Sequence, residues 1–350
     1  MKARDEQTQV HTHVHVLLTA KMAFAPRSSF VHSSQMMLSL CTEFWQLILA
    51  QGFGVGISCG IVFSLSVSVP AQWFLKRRAL AFGIVATGSS IGGVIFPILC
   101  QQLLPKIGFG WTMRIIGFIG LALFLPAWLF LKTRLPPSIN PRRDGWRNVK
   151  WVSLEAFRMP AYSLFVLGSL LILFGLYTPF TYVNVFTAQY NIPIGDYMLA
   201  IFNAASVFGR VIPGALADKF GKMNVLVVHL WICAVAVFLF PLCKSLGPML
   251  AFSIVFGFAS GCYVSLIPAN IGALGPVESY GTRLGQLFAV IAIGGLLGTP
   301  VSGALLGDHQ NSSDWWKTMG FAAAMITGGA ASISVARQFA LRSLNFKGII

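Results

Sequence analysis

Arg210 places a guanidinium inside an otherwise apolar run, Tyr197 to Ala217, and Asp218 follows it at the head of a polar cluster, Asp218-Lys219-Phe220-Gly221-Lys222. A charge within such a run is costly unless it faces water or a partner. Two uses fit the residue type, and the residues alone do not choose between them. The planar guanidinium can grip an anion through two parallel hydrogen bonds, or its long stem can carry the charge to the interface near Asp218. Other polar side chains on apolar runs are Tyr177, Thr178, Tyr182, Asn184, Asn203 and Asn270. Most such groups tie helices together for about 1 kcal/mol each. Tyr177, Thr178 and Tyr182 are the better candidates to line a solute path, because Pro179 beside them removes a backbone donor and loosens that helix, and Asn203 is taken with them.

Other chemistries fail on geometry or context. His11, His13 and His15 alternate in a polar segment, whereas a metal site needs converging ligands of fixed geometry, so no metal is expected. Gly52, Gly54, Gly56 and Gly60, or Gly88, Gly92 and Gly93, sit inside apolar runs with no βαβ pattern around them; small residues one turn apart instead let helices approach closely. No loop of the phosphate-cradling kind is present, so neither ATP nor another cofactor is expected as the energy source. The six cysteines, Cys41, Cys59, Cys100, Cys233, Cys243 and Cys262, lie in or beside apolar stretches without paired spacing and read as small packing residues. Asn311-Ser312-Ser313 has the form of a glycosylation acceptor, close to an apolar run. No grouping of acid, base and nucleophile suggests an enzyme.

The elements that position these residues are set by composition. With 56% hydrophobic and 10% charged residues and a mean hydropathy of +0.74, a soluble fold would need a larger apolar core than 350 residues can enclose. The bilayer is therefore the chain's solvent, and runs of about 20 apolar residues must cross it as helices, since lipid cannot satisfy backbone polar groups. About nine spans are expected: Phe44 to Val69, Ala79 to Leu104, Met113 to Leu131, Ala161 to Phe186, Tyr197 to Leu216, Val225 to Cys243, Met249 to Leu274, Leu284 to Leu306 and Lys317 to Val335. The net charge of +15 sits in the connectors, where it sets topology and does not mark a nucleic-acid face. Lys76, Arg77, Arg78, Lys219, Lys222, Arg283, Arg337, Arg342 and Lys347 share one side with the polar stretch Lys132 to Pro160. That side is expected to be cytoplasmic, with the C-terminus there and the plasma membrane as the host.

The cluster around Asp218, read as Gly214-Ala215-Leu216-Ala217-Asp218-Lys219-Phe220-Gly221-Lys222, resembles the signature loop of the major facilitator superfamily. The flanking Gly209-Arg210 and Asn224 are similar to the monocarboxylate-transporter-like branch. Three further stretches, Ser39 to Leu47, Phe74 to Gly83 and Gly88 to Gly93, resemble the approach to the fourth helix, the basic turn and the fifth helix of its fungal members. Gly257 to Pro268 is similar to the tenth helix, and Gly281-Thr282-Arg283-Leu284-Gly285 to the start of the eleventh.

The resemblance implies an all-α membrane protein of major facilitator type, with two six-helix bundles and a cavity that opens alternately to each side. The nine spans would be the fourth to the twelfth, so the N-terminal bundle is expected to be incomplete, through a truncated chain or a misassigned start. The implied organisation is an atypical segment at 1–43, a partial bundle at 44–131, a cytoplasmic linker at 132–160, a complete C-terminal bundle at 161–336 and a cytoplasmic tail at 337–350. In the superfamily the acid matching Asp218 contacts the positive end of a helix in the other bundle. Here that is the helix starting near Ala79, and Asp218, Lys219, Lys222, Arg77, Arg78 and Arg283 would form a cytoplasmic gate. The arginine matching Arg210 helps bind a substrate carboxylate in animal carriers, with an aspartate one turn earlier. Ser206 stands at that position here, which leaves proton coupling open. The implied activity is secondary transport of a small organic solute, a monocarboxylate or a fungal metabolite; the alternative is a truncated, non-transporting membrane protein or regulatory remnant.

Overall fold

The computed structural model describes residues 30–74, 76–130, 152–275, 279–307 and 311–343. His11, His13 and His15, the basic linker positions through Arg147, and Lys347 lie outside them. Among the described residues the secondary structure is helical without strands, and eight helices are long and apolar enough to cross a membrane. They are α1 (Phe44–Trp73), α2 (Arg78–Phe130), α3 (Pro160–Gln189), α4 (Met198–Phe220), α5 (Lys222–Leu239), α6 (Leu246–Ala273), α7 (Tyr280–Leu306) and α8 (Ser312–Ser343). Two of the nine expected spans fall on α2, which is broken at Gly108 by a backbone φ of 74° that an L side chain would resist.

The described residues form two compact units, 30–74 with 98–130, and 76–97 with the described residues from 152 to 343. In the first, α1 opens on a capping box in which Glu43 and Gln46 serve each other's backbone N–H groups. It then passes through a π-helical stretch, Ile48–Val55. The hydroxyls of Ser58, Ser64, Ser66 and Ser68 each donate to the carbonyl four residues back, so none faces hydrocarbon unpaired. A short helix at 30–38 packs on the far part of α2, where Arg114 Nε donates to Ser39 Oγ at 3.2 Å and the rings of His32 and Phe124 meet edge to face.

In the second unit α3 packs against α7 and α8, α4 against α6, and α5 bridges α6 and α8. Lipid supplies no hydrophobic drive between helices, so close backbone approach must. Gly209 lies under the Phe258 carbonyl, Gly257 under that of Phe202, and Gly261 against Ser206, forming a small-residue seam along α4 and α6. At the end away from Asp218, the rings of Phe186, Phe240 and Trp315 interlock with centroids 4.6 to 6.1 Å apart. Trp315 there donates its indole N–H to Gln189 Oε1 at 2.6 Å, which satisfies the one polar atom of the buried ring.

Candidate functional site

The first N–H groups of any helix have no partner within it. At the start of α2 two of them are met by one side chain: Asp218 Oδ1 accepts from Ala79 N at 3.1 Å and Oδ2 from Leu80 N at 3.0 Å. Asp218 occupies the last turn of α4, just before Gly221 (φ 96°) ends that helix. A carboxylate there opposes the dipole of its own helix, and the positive end of α2 offsets this. The ammonium of Lys222, which opens α5, interacts electrostatically with Asp218 and with Arg78.

Two more cations gather at the C-terminal end of α6, the negative end of that helix. Arg283, 1% exposed, donates Nη1 to Ile271 O at 3.0 Å and Nε to Ser279 Oγ at 3.2 Å. Its own carbonyl accepts from Tyr162 Oη at 2.8 Å, tying α3 to the start of α7. The guanidinium of Arg78 is buried against Gly272 and interacts electrostatically with Tyr280. Arg77 and Lys219 are exposed.

Two turns further along α4, Arg210 is only 7% exposed. Its Nε donates to Ser206 Oγ at 3.2 Å, and its Nη1 donates to the Ala86 carbonyl and to Ser89 Oγ, both on α2. Ser206 Oγ accepts a second bond, from Ser90 Oγ at 3.1 Å. The guanidinium thus points into α2 instead of running out to the interface. Tyr177, 45% exposed on α3, interacts electrostatically with it.

The remaining candidates are placed apart. Thr178 is 1% exposed and shares a 2.7 Å hydrogen bond with Ser302 Oγ, which puts it between α3 and α7 and not along an open lining. Tyr182 is half-buried and donates to Thr299 O at 3.1 Å across the same pair of helices. Asn203 donates to Leu199 O at 2.9 Å on its own helix and sits against Gly93 of α2. Substituting Thr178→Val should therefore cost only about 1 kcal/mol, the usual strength of one interhelical hydrogen bond. Thermal unfolding in detergent checks this, and a loss of solute passage with unchanged stability would instead make Thr178 a lining residue.

Sequence reasoning passed over Ala86, Ser89, Ser90 and Ser206 as partners for Arg210. The signal available is the pair Ser89-Ser90 within Gly88-Ser89-Ser90-Ile91-Gly92-Gly93, a stretch that resembles the family's fifth helix and whose glycines suit close packing. Among the described residues no group of three or more His, Cys, Asp or Glu side chains could hold a metal ion.

Eight helices long and apolar enough to cross a membrane, with Asp218 and Arg210 each bonding from one helix to the next, define a polytopic α-helical membrane protein. The chain belongs to the Major Facilitator Superfamily, whose family model matches residues 28–299 and 196–342. It is 37% identical over 306 residues to the MFS transporter asaE of Aspergillus flavus, covering 86% of this chain and 67% of that protein. It is 38% identical over 294 residues to the aspyridones efflux protein apdF of Emericella nidulans, covering 83% of this chain and 58% of that one. The chain thus spans 67% and 58% of the length of those two relatives. Solved structures share the fold: the Escherichia coli fucose:proton symporter matches with a TM-score of 0.69 at 14% identity, covering 92% of this chain and 83% of that one. The human organic anion transporter MFSD10 matches at 0.65 and 16% identity, covering 92% and 77%. This family membership places the chain among transporters and not enzymes.

Proposed function

We propose that the chain is a secondary transporter of a small organic solute, a monocarboxylate or a fungal metabolite, working by alternating access from the plasma membrane with its C-terminus in the cytoplasm. The observation that carries this reading is the two-oxygen grip of Asp218 on Ala79 N and Leu80 N, between helices about 140 positions apart in sequence. A contact made only of a carboxylate and two helix-end N–H groups can form and break without unfolding either helix, which is what a gate requires. Arg78 and Arg283 would be the buried part of the gate, half-buried Lys222 would lie beside Asp218, and Lys219 and Arg77 would form its exposed rim. Arg210, the buried cation of α4, is suited to a solute carboxylate, with Tyr177 beside it, whereas Tyr182 and Asn203 bond elsewhere, to Thr299 and to Leu199. Coupling to protons would call for an acid next to Arg210, and Ser206 holds that place. The efflux role in the name of the Emericella relative favours export of a secondary metabolite.

Proteoliposomes containing the chain, loaded with a panel of small carboxylic acids and extracted fungal metabolites and followed by mass spectrometry, test the reading. Saturable passage of at least one compound, faster than in empty liposomes, is expected; passage of none by the folded chain would sink it.

A further inference from the structure

α5 and α8 run antiparallel, and two contacts fix the pair along its length. In the last third of α8, Arg337 donates Nε to Asn224 Oδ1 in the first turn of α5, and Asn224 Nδ2 donates in turn to Phe220 O at 2.6 Å. Towards the other end the rings of Phe238 and Trp316 meet edge to face with centroids 5.8 Å apart. At 1.5 Å per residue these contacts lie about 21 Å apart along α5 and about 31 Å along α8, so the pair runs through most of a hydrocarbon core of about 30 Å. Val228, Trp231 and Val235 follow Asn224 at helical spacing on one face of α5 and are 57%, 41% and 57% exposed. On α8 the exposed residues leading up to Arg337 include the small Thr327 and Ala331. The side chains therefore step down from α5 to α8, which leaves an apolar ledge ending at a cation.

That cation is held but not neutralised. Lys222 has Asp218 beside it, and Arg283 lies at the negative end of α6. The half-buried Arg337 has neither: among the described residues the only ion pair is Asp314 with Lys317, near the opposite end of α8. Its Nε is taken by Asn224, and among the described residues neither Nη group is bonded. We propose that Arg337 holds the phosphate of an anionic phospholipid whose acyl chains lie along the α5 and α8 ledge. Asn224 is the positioning residue: by occupying Nε it leaves the Nη1 and Nη2 edge, two parallel donors that match two phosphate oxygens. A ligand with one anionic head and long apolar tails satisfies both the fork and the exposed stripe of α5, whereas a free anion would satisfy only the fork. Placing this lipid in the cytoplasmic leaflet, where anionic lipids attract basic segments, rests on the orientation proposed for the transporter; the binding itself does not.

The full chain, purified in a neutral detergent, is titrated with dioleoyl phosphatidylserine, and bound lipids are counted by native mass spectrometry, with dioleoyl phosphatidylcholine as the zwitterionic control. The serine lipid should bind about fivefold or more tightly than the choline lipid, the ratio expected of one basic residue near a lipid surface. Arg337→Gln should remove that preference. Arg158→Gln, which deletes an exposed cation before α3, should leave it within about twofold, because a remote exposed charge is screened. Arg337→Lys keeps the charge and loses the fork, so a loss of roughly threefold is expected; it carries the test should the glutamine variant fail to fold. Equal binding of the two lipids, equal losses in Arg158→Gln and Arg337→Gln, or a lysine variant that binds like its parent each overturn the proposal. Displacement of the lipid by glycerophosphoserine or inorganic phosphate does the same, since it would mark a site for a free anion. If the lipid binds as described while vesicles pass no solute, the lipid site stands and the transporter reading falls. If solute passes while the Arg337 variants bind the lipid like their parent, the reverse holds.

Discussion

Replacing Asp218 with asparagine should cut solute flux at least about tenfold without loss of expression or of the folded fraction. The carboxylate uses both oxygens, on Ala79 N and Leu80 N. Asparagine keeps one acceptor and turns its amide N–H groups towards the second donor, so one bond is lost and one helix-end N–H is left unpaired. Hydrogen bonds to charged groups contribute roughly 1.5–3 kcal/mol each, and the charge at the α2 N-terminus adds about 0.3–1 kcal/mol. A hold weaker by about 2 kcal/mol moves a two-state equilibrium roughly thirtyfold, since about 1.4 kcal/mol is tenfold. The packed arrangement of α2 on α4 would then lose roughly thirtyfold in population relative to the separated one, and a transporter that closes one side less often cycles more slowly. Flux through proteoliposomes and cross-linking of a Leu80→Cys, Gly214→Cys pair, where a Cβ on residue 214 comes 3.3 Å from the Leu80 Cα, read the two halves of this expectation separately. Unchanged flux together with unchanged cross-linking would make Asp218 an orienting surface charge.

The proposed gate is confined to helix ends for an electrostatic reason. Asp218 sits at the wrong end of α4 and Lys222 at the wrong end of α5, each opposed by its own helix dipole. Neither arrangement is favourable in isolation, and each is offset by a neighbour, the α2 N-terminus for the acid and the acid itself for Lys222. Arg283 occupies a favourable place, the C-terminal end of α6; Arg78 shares it but also opens α2, at the wrong end of its own helix. The cluster therefore holds one cation, Arg283, independent of α2, and an acid and a second cation, Arg78, whose balance depends on where α2 lies. That asymmetry lets a rigid-body shift of α2 act on Asp218 while the Arg283 ties to Ile271, Ser279 and Tyr162 stay in place.

Much of this was legible in the chain, for physical reasons that differ between elements. Apolar runs near 20 residues announce spanning helices because the bilayer leaves no other backbone arrangement, and those runs fall on α1 to α8 with the break at Gly108 between the second and third. The meeting of Asp218 with the helix beginning near Ala79 could be anticipated only through the family resemblance; nothing in the spacing of residues 79 and 218 encodes it. The partners of Arg210 were hidden because serine on a glycine-rich face is ambiguous. Ser58, Ser64, Ser66 and Ser68 turn back on their own helix, whereas Ser90 and Ser206 reach across to each other, and the choice is made by which helix lies opposite. Thr178 illustrates the same limit. Its position beside Pro179 is visible in the sequence, but its burial against Ser302 depends on the rotation of α3 on α7, which hydropathy alone does not report.

Substituting Gly209→Val should be the most damaging single change in the second unit. A Cβ at position 209 would lie 2.6 Å from the Phe258 carbonyl carbon and 2.7 Å from its Cα. These are main-chain atoms of α6, so no rotamer change can relieve the overlap, and the helices must separate. Overpacking of this kind costs about 1–3 kcal/mol, occasionally more, and branching at Cβ adds χ1 restriction on the helix. The separation would also spread along the seam. Ser206, one turn away, packs on Gly261 while bonding Arg210 and Ser90 on its other side. Pushing α4 off α6 should press it towards α2 or tilt it, and either motion breaks the geometry that orients Arg210. The expected result is a large fall in the melting temperature in detergent and loss of the single size-exclusion peak, with Gly209→Ala showing a smaller fall in the same direction. A valine variant that melted within about a degree of its parent, against the few degrees that 1 kcal/mol moves a domain of this size, would show that α4 and α6 do not approach as closely as the backbone positions of Gly209 and Phe258 require.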